Sequence, residues 1–166
     1  MLDNQGTPEE EIMRSIRFTI PGVPFGKQRP RVTVRKYKEG QGKEKAFSKA
    51  YTPKETVSYE NLVKLMYREA AKGKRFKDDD MLDVRIIAYY EIPQSTSKKR
   101  RKLMLEHKIR PTKTPDWDNI GKIVCDSLNK IAYHDDSRVV DAQVRKFYSE
   151  TPRVDVTIRR IDPGEI

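Results

Sequence analysis

One cysteine, Cys125, is all the chain contains. A lone thiol excludes an internal disulfide framework and any multi-cysteine zinc site, and it suits a reducing, cytoplasmic setting. Long apolar runs are missing too: nothing approaches the roughly 18 consecutive apolar residues that a membrane helix needs. The opening MLDNQGTPEEEIMRS is acidic and polar where a signal peptide is basic and then apolar, so a soluble, non-exported protein with no membrane partner is expected. Internal repeats are also absent. What the chain has in excess is positive charge, 35 lysines and arginines against 25 acids in 166 residues, for a net charge of +10. Such a surface attracts phosphates more readily than acidic proteins or neutral metabolites, which makes nucleic acid the leading partner class. Binding proteins and nucleases share that balance, so charge narrows the field without separating binding from catalysis.

The length fits a single domain whose core needs no staples. Residues 1–13 read as a flexible extension and residues 14–166 as the domain. SIRFTI at 15–20 alternates apolar and polar side chains, as a half-buried strand does, before Pro21 and Gly22. The stretch that follows, up to Tyr51, mixes turn residues with dense basic charge and predicts a basic loop with strand pieces around RVTV. TPKE at 52–55 reads as a capping box, with Thr52 capping, Pro53 at the first helical position and Glu55 reaching back. Tyr59, Leu62, Val63, Met66 and Ala70 then recur at helical spacing as far as Gly73, a residue suited to the left-handed turn that ends helices, so a helix spans roughly 53–72. MLDVRIIAYYEI at 81–92 predicts a long, largely buried strand stopped by Pro93. STSKKRRKLMLEHK predicts a short basic helix capped by Ser95 or Ser97. Ile120, Ile123, Val124, Leu128 and Ile131 give a second amphipathic helix one apolar face, starting at Asp116 or Asp118. RVVDAQVRKFYS and RVDVTIRRI alternate on either side of Thr151 and Pro152, which predicts a terminal hairpin. The sum is α+β, a mixed sheet with two to three helices packed on it.

Acids gather in one place despite the basic balance: PDWDNIGKIVCDSLNK at 115–130, then HDDSR at 134–138. Steps of four residues advance only about 40° around a helix, so Asp118, Lys122 and Asp126 form a polar stripe opposite the apolar face. Asp116 at the helix start is explained by ordinary capping, which accounts for one acid and not two. If Asp116, Asp118, Asp135 and Asp136 come together, repulsion raises their pKa values unless a cation neutralises them. Hard divalent cations suit all-oxygen sites, and magnesium keeps positions open for a phosphate oxygen. That combination points to metal-assisted phosphodiester cleavage, with Lys122 as the ammonium that stabilises charge on the phosphorane or orients the water. A capped, charge-paired surface helix would carry the same residues.

PDWDNIGKIVCDSLN followed by HDDSRVVDAQVRK resembles the D-x-D-N-x-x-K-x-x-x-D-x-L-N and D-D-x-x-V signature of the RusA family of Holliday junction resolvases. The likeness extends to IPGVPFGKQRPRVT, YTPKETVSYE, IPQSTSKKRR and PTKTPDWDN, in the form common in Gram-positive bacteria and their phages, and covers about residues 16 to 160. It implies a homodimeric, magnesium-dependent endonuclease of DNA recombination and repair, in which manganese can replace magnesium. Such an enzyme cuts four-way junctions by paired symmetric nicks and needs no small-molecule cofactor. On the matching positions the metal-binding carboxylates are Asp116, Asp118 and Asp136, the catalytic lysine is Lys122, and Asp135 is an auxiliary ligand. Two departures are small: Trp117 stands where the family usually has an aliphatic residue, and His134 precedes the acid pair. A phage nuclease of broader branched-DNA taste and a non-catalytic basic nucleic-acid-binding protein are the alternatives.

The remaining charge has simpler readings beside the functional ones. Lys27, Arg29, Arg31, Arg35 and Lys36 form a phosphate clamp for junction arms, or a solvated loop. Lys98, Lys99, Arg100 and Arg101 grip DNA backbone, or solubilise a helix. Asp78, Asp79 and Asp80 sit among basic residues in a turn and read as solvated, and neither His134 nor His107 carries a strong signal. Cys125 reads as a packing residue rather than a nucleophile. Trp117 could stack on a base at the branch point, and packing against the sheet is the favoured reading.

Overall fold

Ile16, Phe18 and Ile20 share one face of SIRFTI, and in the computed structural model they form the buried side of strand β1 (Ser15–Pro21). The structure describes residues 13–39 and 43–165; the extension expected over residues 1–13 lies outside them, apart from Met13, which packs against the core. Strands β2 (Arg31–Glu39) and β3 (Lys43–Tyr51) pair antiparallel along their full length, so the expected basic loop with strand pieces is a regular hairpin. Its cross-strand partners include β-branched Val32, Thr33 and Val34 and aromatic Phe47 and Tyr51, residue types that fit a pleated surface.

Helix α1 (Lys54–Ala71) buries Val63, Tyr67 and Ala71. The predicted capping box does not form: Pro53 itself occupies the N-cap position and makes no side-chain cap bond, while Thr52 is exposed. At the other end Lys72 takes the left-handed conformation (φ 50°) ahead of Gly73 (φ 81°), so two residues make the reversal expected of one. Strand β4 (Met81–Glu91) follows, then α2 (Lys98–Leu105), whose cap is Ser97, accepting from the Arg100 N–H at 3.4 Å. Helix α3 (Trp117–Leu128), a 3-10 turn (Asp136–Arg138), β5 (Val139–Ser149) and β6 (Arg153–Ile161) complete the chain.

The main sheet runs β1-β6-β4-β5, with β4 and β5 parallel and the other pairs antiparallel. The predicted terminal hairpin is therefore wrong: β4 lies between β5 and β6. Next-but-one strands are about 10 Å apart, a gap that the link from Ser149 to Arg153 spans over the end of β4. A local turn signal at Thr151 and Pro152 carries no information on whether another strand lies between its flanks; here β4 does, with Leu82, Val84, Ile86, Ala88 and Tyr90 all buried. One face of the sheet holds these residues with Val154, Val156 and Ile158, covered by α1 and by Ile120, Ile123, Val124 and Leu128 of α3. The opposite face mixes polar and aromatic groups, with Asp83 on Arg85 at 2.7 Å, Thr19 donating to Asp155 at 2.8 Å, and the Tyr89 and Phe147 rings 6.1 Å apart. The result is α+β with a mixed sheet.

Candidate active site

The turn before α3 fixes where its acids stand. The Tyr90 hydroxyl donates to the Pro115 carbonyl oxygen at 2.6 Å, and the Lys146 ammonium donates to the same oxygen at 3.0 Å and to that of Lys113 at 2.6 Å. Gly26 seats against this turn: a Cβ there would lie 2.8 Å from Cβ of Pro115 and 3.1 Å from Cβ of Asn119. The N–H of Lys27 then donates to the Asn119 carbonyl at 2.9 Å, so the GKQRPR segment docks on the first turn of α3 because residue 26 has no side chain.

Asp116 holds the N-cap position with extended backbone, yet its carboxylate makes no capping hydrogen bond. The position is that of a cap and the bond is missing. Asp118 follows in the first turn; both carboxylates are exposed and have no hydrogen bond or ion pair among the described residues. Burial pushes the Lys146 ammonium down from its usual value and the charge of Asp116 opposes this; burial, then Asp116 and Tyr148, push the Tyr90 phenol up. Asp116 thus lies within electrostatic reach of two groups that hold the turn. Trp117, between the acids, is 64% exposed rather than packed on the sheet.

Farther along α3, the Lys122 ammonium stands 3.4 Å from Oδ2 of Asp126, and the Lys27 ammonium 3.5 Å from the same oxygen while also pairing with Glu60 of α1. Burial alone would lower the pKa of Lys27, but Glu60 and Asp126 outweigh it and the net shift is upward, which keeps the ammonium charged. Partial burial, then the Asp126 and Asp135 carboxylates, push Asp136 above the usual carboxylate range, and Lys122 opposes them. Asp126 therefore acts on both Lys122 and Asp136. Its place on the polar stripe was the available signal, and the sequence reading gave it no role. Asp135 caps the 3-10 turn, its Oδ1 accepting from the Ser137 N–H at 3.0 Å, a bond that holds its pKa down. That cap starts the turn presenting Asp136.

The other candidate residues divide by exposure. Lys27 points inward to Glu60 and Asp126, whereas Arg29, Arg31 and Arg35 are exposed. Lys98, Lys99 and Arg100 stand exposed in the first turn of α2, and Arg101 pairs with Glu150 at 3.1 Å. Cations there oppose the helix dipole, so they are placed against local stability. His134 contacts the Lys130 ammonium at 3.3 Å. Cys125 is half-buried, its thiol pushed up to about 11 chiefly by burial, as a packing residue requires. Asp80 accepts from the Lys77 N–H at 2.8 Å and Asp78 pairs with Arg75 at 2.8 Å, so the DDD turn is internally satisfied at both ends.

Among the described residues no three carboxylate, imidazole or thiol side chains are grouped closely enough to enclose a metal ion, so Asp116, Asp118 and Asp136 do not form a ready-made cage. The donor set nevertheless fits a hard cation. It is all-oxygen, two of its carboxylates are exposed and uncommitted, and magnesium retains waters and needs only one or two protein carboxylates beside a phosphate.

On a chain of net charge +10, α3 thus begins with two exposed acids that make no ion pair among the described residues, and farther along it two lysines flank Asp126. The family described as Endodeoxyribonuclease RusA matches residues 21–159. The chain is also 38% identical over 151 residues to the Uncharacterized protein YqaN of Bacillus subtilis (strain 168), covering 90% of this chain and 99% of that protein. The chain belongs to the RusA family, endodeoxyribonucleases that resolve Holliday junctions by hydrolysing DNA, and it is accordingly an enzyme. No helix among the described residues is long and apolar enough to cross a membrane.

Proposed function

We propose that the chain is a magnesium-dependent resolvase that works as a homodimer and cuts four-way DNA junctions by paired symmetric nicks during recombination and repair. The observation that carries this reading is the pair Asp116 and Asp118, both exposed and without a hydrogen bond or ion pair among the described residues, on a chain of net charge +10. A protein that only binds a polyanion gains nothing from bare carboxylates on its binding side.

Asp116, Asp118 and Asp136 would hold the cation, with Asp135 as an auxiliary oxygen donor; manganese would serve in place of magnesium. When bound, the ion neutralises charge on the scissile phosphate and lowers the pKa of a water. The protein's own groups do the rest. Lys122 presents an ammonium to the phosphorane oxygens and exchanges Asp126 for phosphate as substrate arrives, a change of partner allowed by its 61% exposure. Tyr90 and Lys146 hold the Pro115 carbonyl, and with it the start of the acid-bearing helix. Arg29, Arg31 and Arg35 on one side and Lys98, Lys99, Arg100 and Arg101 on another supply phosphate contacts, which position DNA without reading bases. Two chains are required because each carries one acid constellation and a junction needs two opposed cuts.

Cleavage of a synthetic four-way junction, a flap and a linear duplex, each with magnesium and with EDTA, tests the proposal. Symmetric nicks confined to the junction and abolished by EDTA are expected. Equal cutting of the flap would replace it with a broader branched-DNA nuclease.

A further inference from the structure

The β2–β3 hairpin pairs with itself along its whole length and packs substantially on no other element among the described residues. A bare two-stranded ribbon is marginal in water, so its faces are shaped by something other than the core. Alternation along the strands and the pairing register decide which side chains share a face. On one face Arg31 stands opposite Tyr51, Thr33 opposite Lys49 and Arg35 opposite Phe47. All of these except Arg31 line a shallow cavity of about 460 Å³, so rings and cations surround a single hollow. Phe47 is 61% exposed and Tyr51 46%, and the described side chains of this face include no acid.

We propose that this face binds DNA strands through their bases as well as their phosphates, with Phe47 and Tyr51 stacking on exposed bases while Arg31, Arg35 and Lys49 hold the flanking phosphates. A phosphate clamp alone has no use for exposed rings. A protein interface core, depleted in charge, has no use for cations interleaved with them. Aromatic platforms set among cations are how proteins hold single-stranded nucleic acid, because every base has a face to stack. A fully paired duplex hides those faces. The ligand is therefore the unstacked strand at a branch point, an assignment that rests on reading the chain as a junction nuclease.

The test is fluorescence anisotropy of the full chain with a labelled single strand, a linear duplex and a four-way junction, across salt concentration. Wild type is compared with Phe47→Ala, Tyr51→Ala, their double variant, Tyr51→Phe and Arg35→Ala. Each ring removed is expected to weaken single-strand and junction binding about tenfold and to change duplex binding by less than about twofold. The slope of log affinity against log salt stays as in wild type for the ring variants and falls by about one for Arg35→Ala. Tyr51→Phe, which keeps its ring, binds as wild type does. Sedimentation and thermal melting accompany each variant, and both are expected to be unchanged because the hairpin lies outside the core. Single-strand binding unaffected in the double variant overturns the proposal. So does a lost dimer with intact DNA affinity, which would mark the face as a contact between copies. Wild type that binds no DNA overturns the nuclease reading itself, and that result is separate from the other two.

Discussion

The Lys122 ammonium and the Asp126 carboxylate stand 3.4 Å apart on successive turns of α3, and the charge of the same carboxylate helps to push up the pKa of Asp136 in the turn that follows the helix. One carboxylate thus acts on both the lysine and an acid of the proposed site. As an exposed i,i+4 pair, Lys122 and Asp126 contribute only about 0.3–0.5 kcal/mol to folding. Lys122→Met should leave the melting temperature nearly unchanged while lowering single-turnover junction cleavage about 10²- to 10³-fold, the usual cost of losing one donor to transition-state charge. Melting curves beside quenched-flow cleavage separate the two effects.

Asp136 bears the strain of this arrangement. Its raised pKa reports a carboxylate disfavoured by burial and by Asp126 and Asp135. Asp136→Asn, measured in EDTA at neutral pH, should therefore melt slightly higher than wild type and should cleave far more slowly. A destabilised Asp136→Asn protein would show that the carboxylate is structural.

Gly26 makes a steric prediction. The atom nearest to an added methyl is Cβ of Pro115, part of a ring that cannot swing aside, at 2.8 Å. Gly26→Ala should cost about 1–3 kcal/mol, the range for overpacking. It should also lower cleavage by lifting Lys27 away from Asp126. Urea unfolding with cleavage rates on the folded variant checks both.

Alkaline pH should expose the buried acids of weak type. Burial pushes the Cys125 thiol up to about 11 and the Tyr67 phenol up to about 12. Both folded values lie above the ordinary ones, so the folded state holds these protons more tightly than the unfolded chain. The stability they contribute is complete below their ordinary pKa values of 9.0 and 10.0 and is lost as pH rises through the folded values. Denaturation midpoints should be flat from neutral pH to about 9 and fall beyond it. Iodoacetamide at pH 8 should modify folded Cys125 about 100-fold more slowly than the urea-unfolded chain.

Elements with strong periodicity were legible in the sequence. β1, β4 and α3 follow directly from where Ile16, Val84 and Ile123 recur, since burial of one face decides each element locally. The β5–β6 hairpin was misread because the turn at Thr151 and Pro152 looks the same whether the flanking strands pair or straddle a third. The place of Asp116 and Asp118 at the start of α3 was legible from their spacing. The pairing of Asp126 with Lys27 was not, because it joins α3 to a loop about a hundred residues earlier, and no local pattern encodes such a contact. Trp117 was misplaced because helical spacing assigns a residue a side of the helix and not its depth: it is 64% exposed.

The central claim is that the α3 acids serve the reaction and not the fold or the grip on DNA. The most direct measurement compares Asp118→Asn with wild type in two numbers, junction affinity with cleavage blocked by calcium in place of magnesium, and single-turnover cleavage with magnesium. The account predicts affinity equal to wild type or tighter, because a negative charge is removed beside a polyanion, together with a loss of cleavage of at least about 10³-fold. Cleavage at the wild-type rate, or a loss of affinity that accounts for all the lost cleavage, would contradict it.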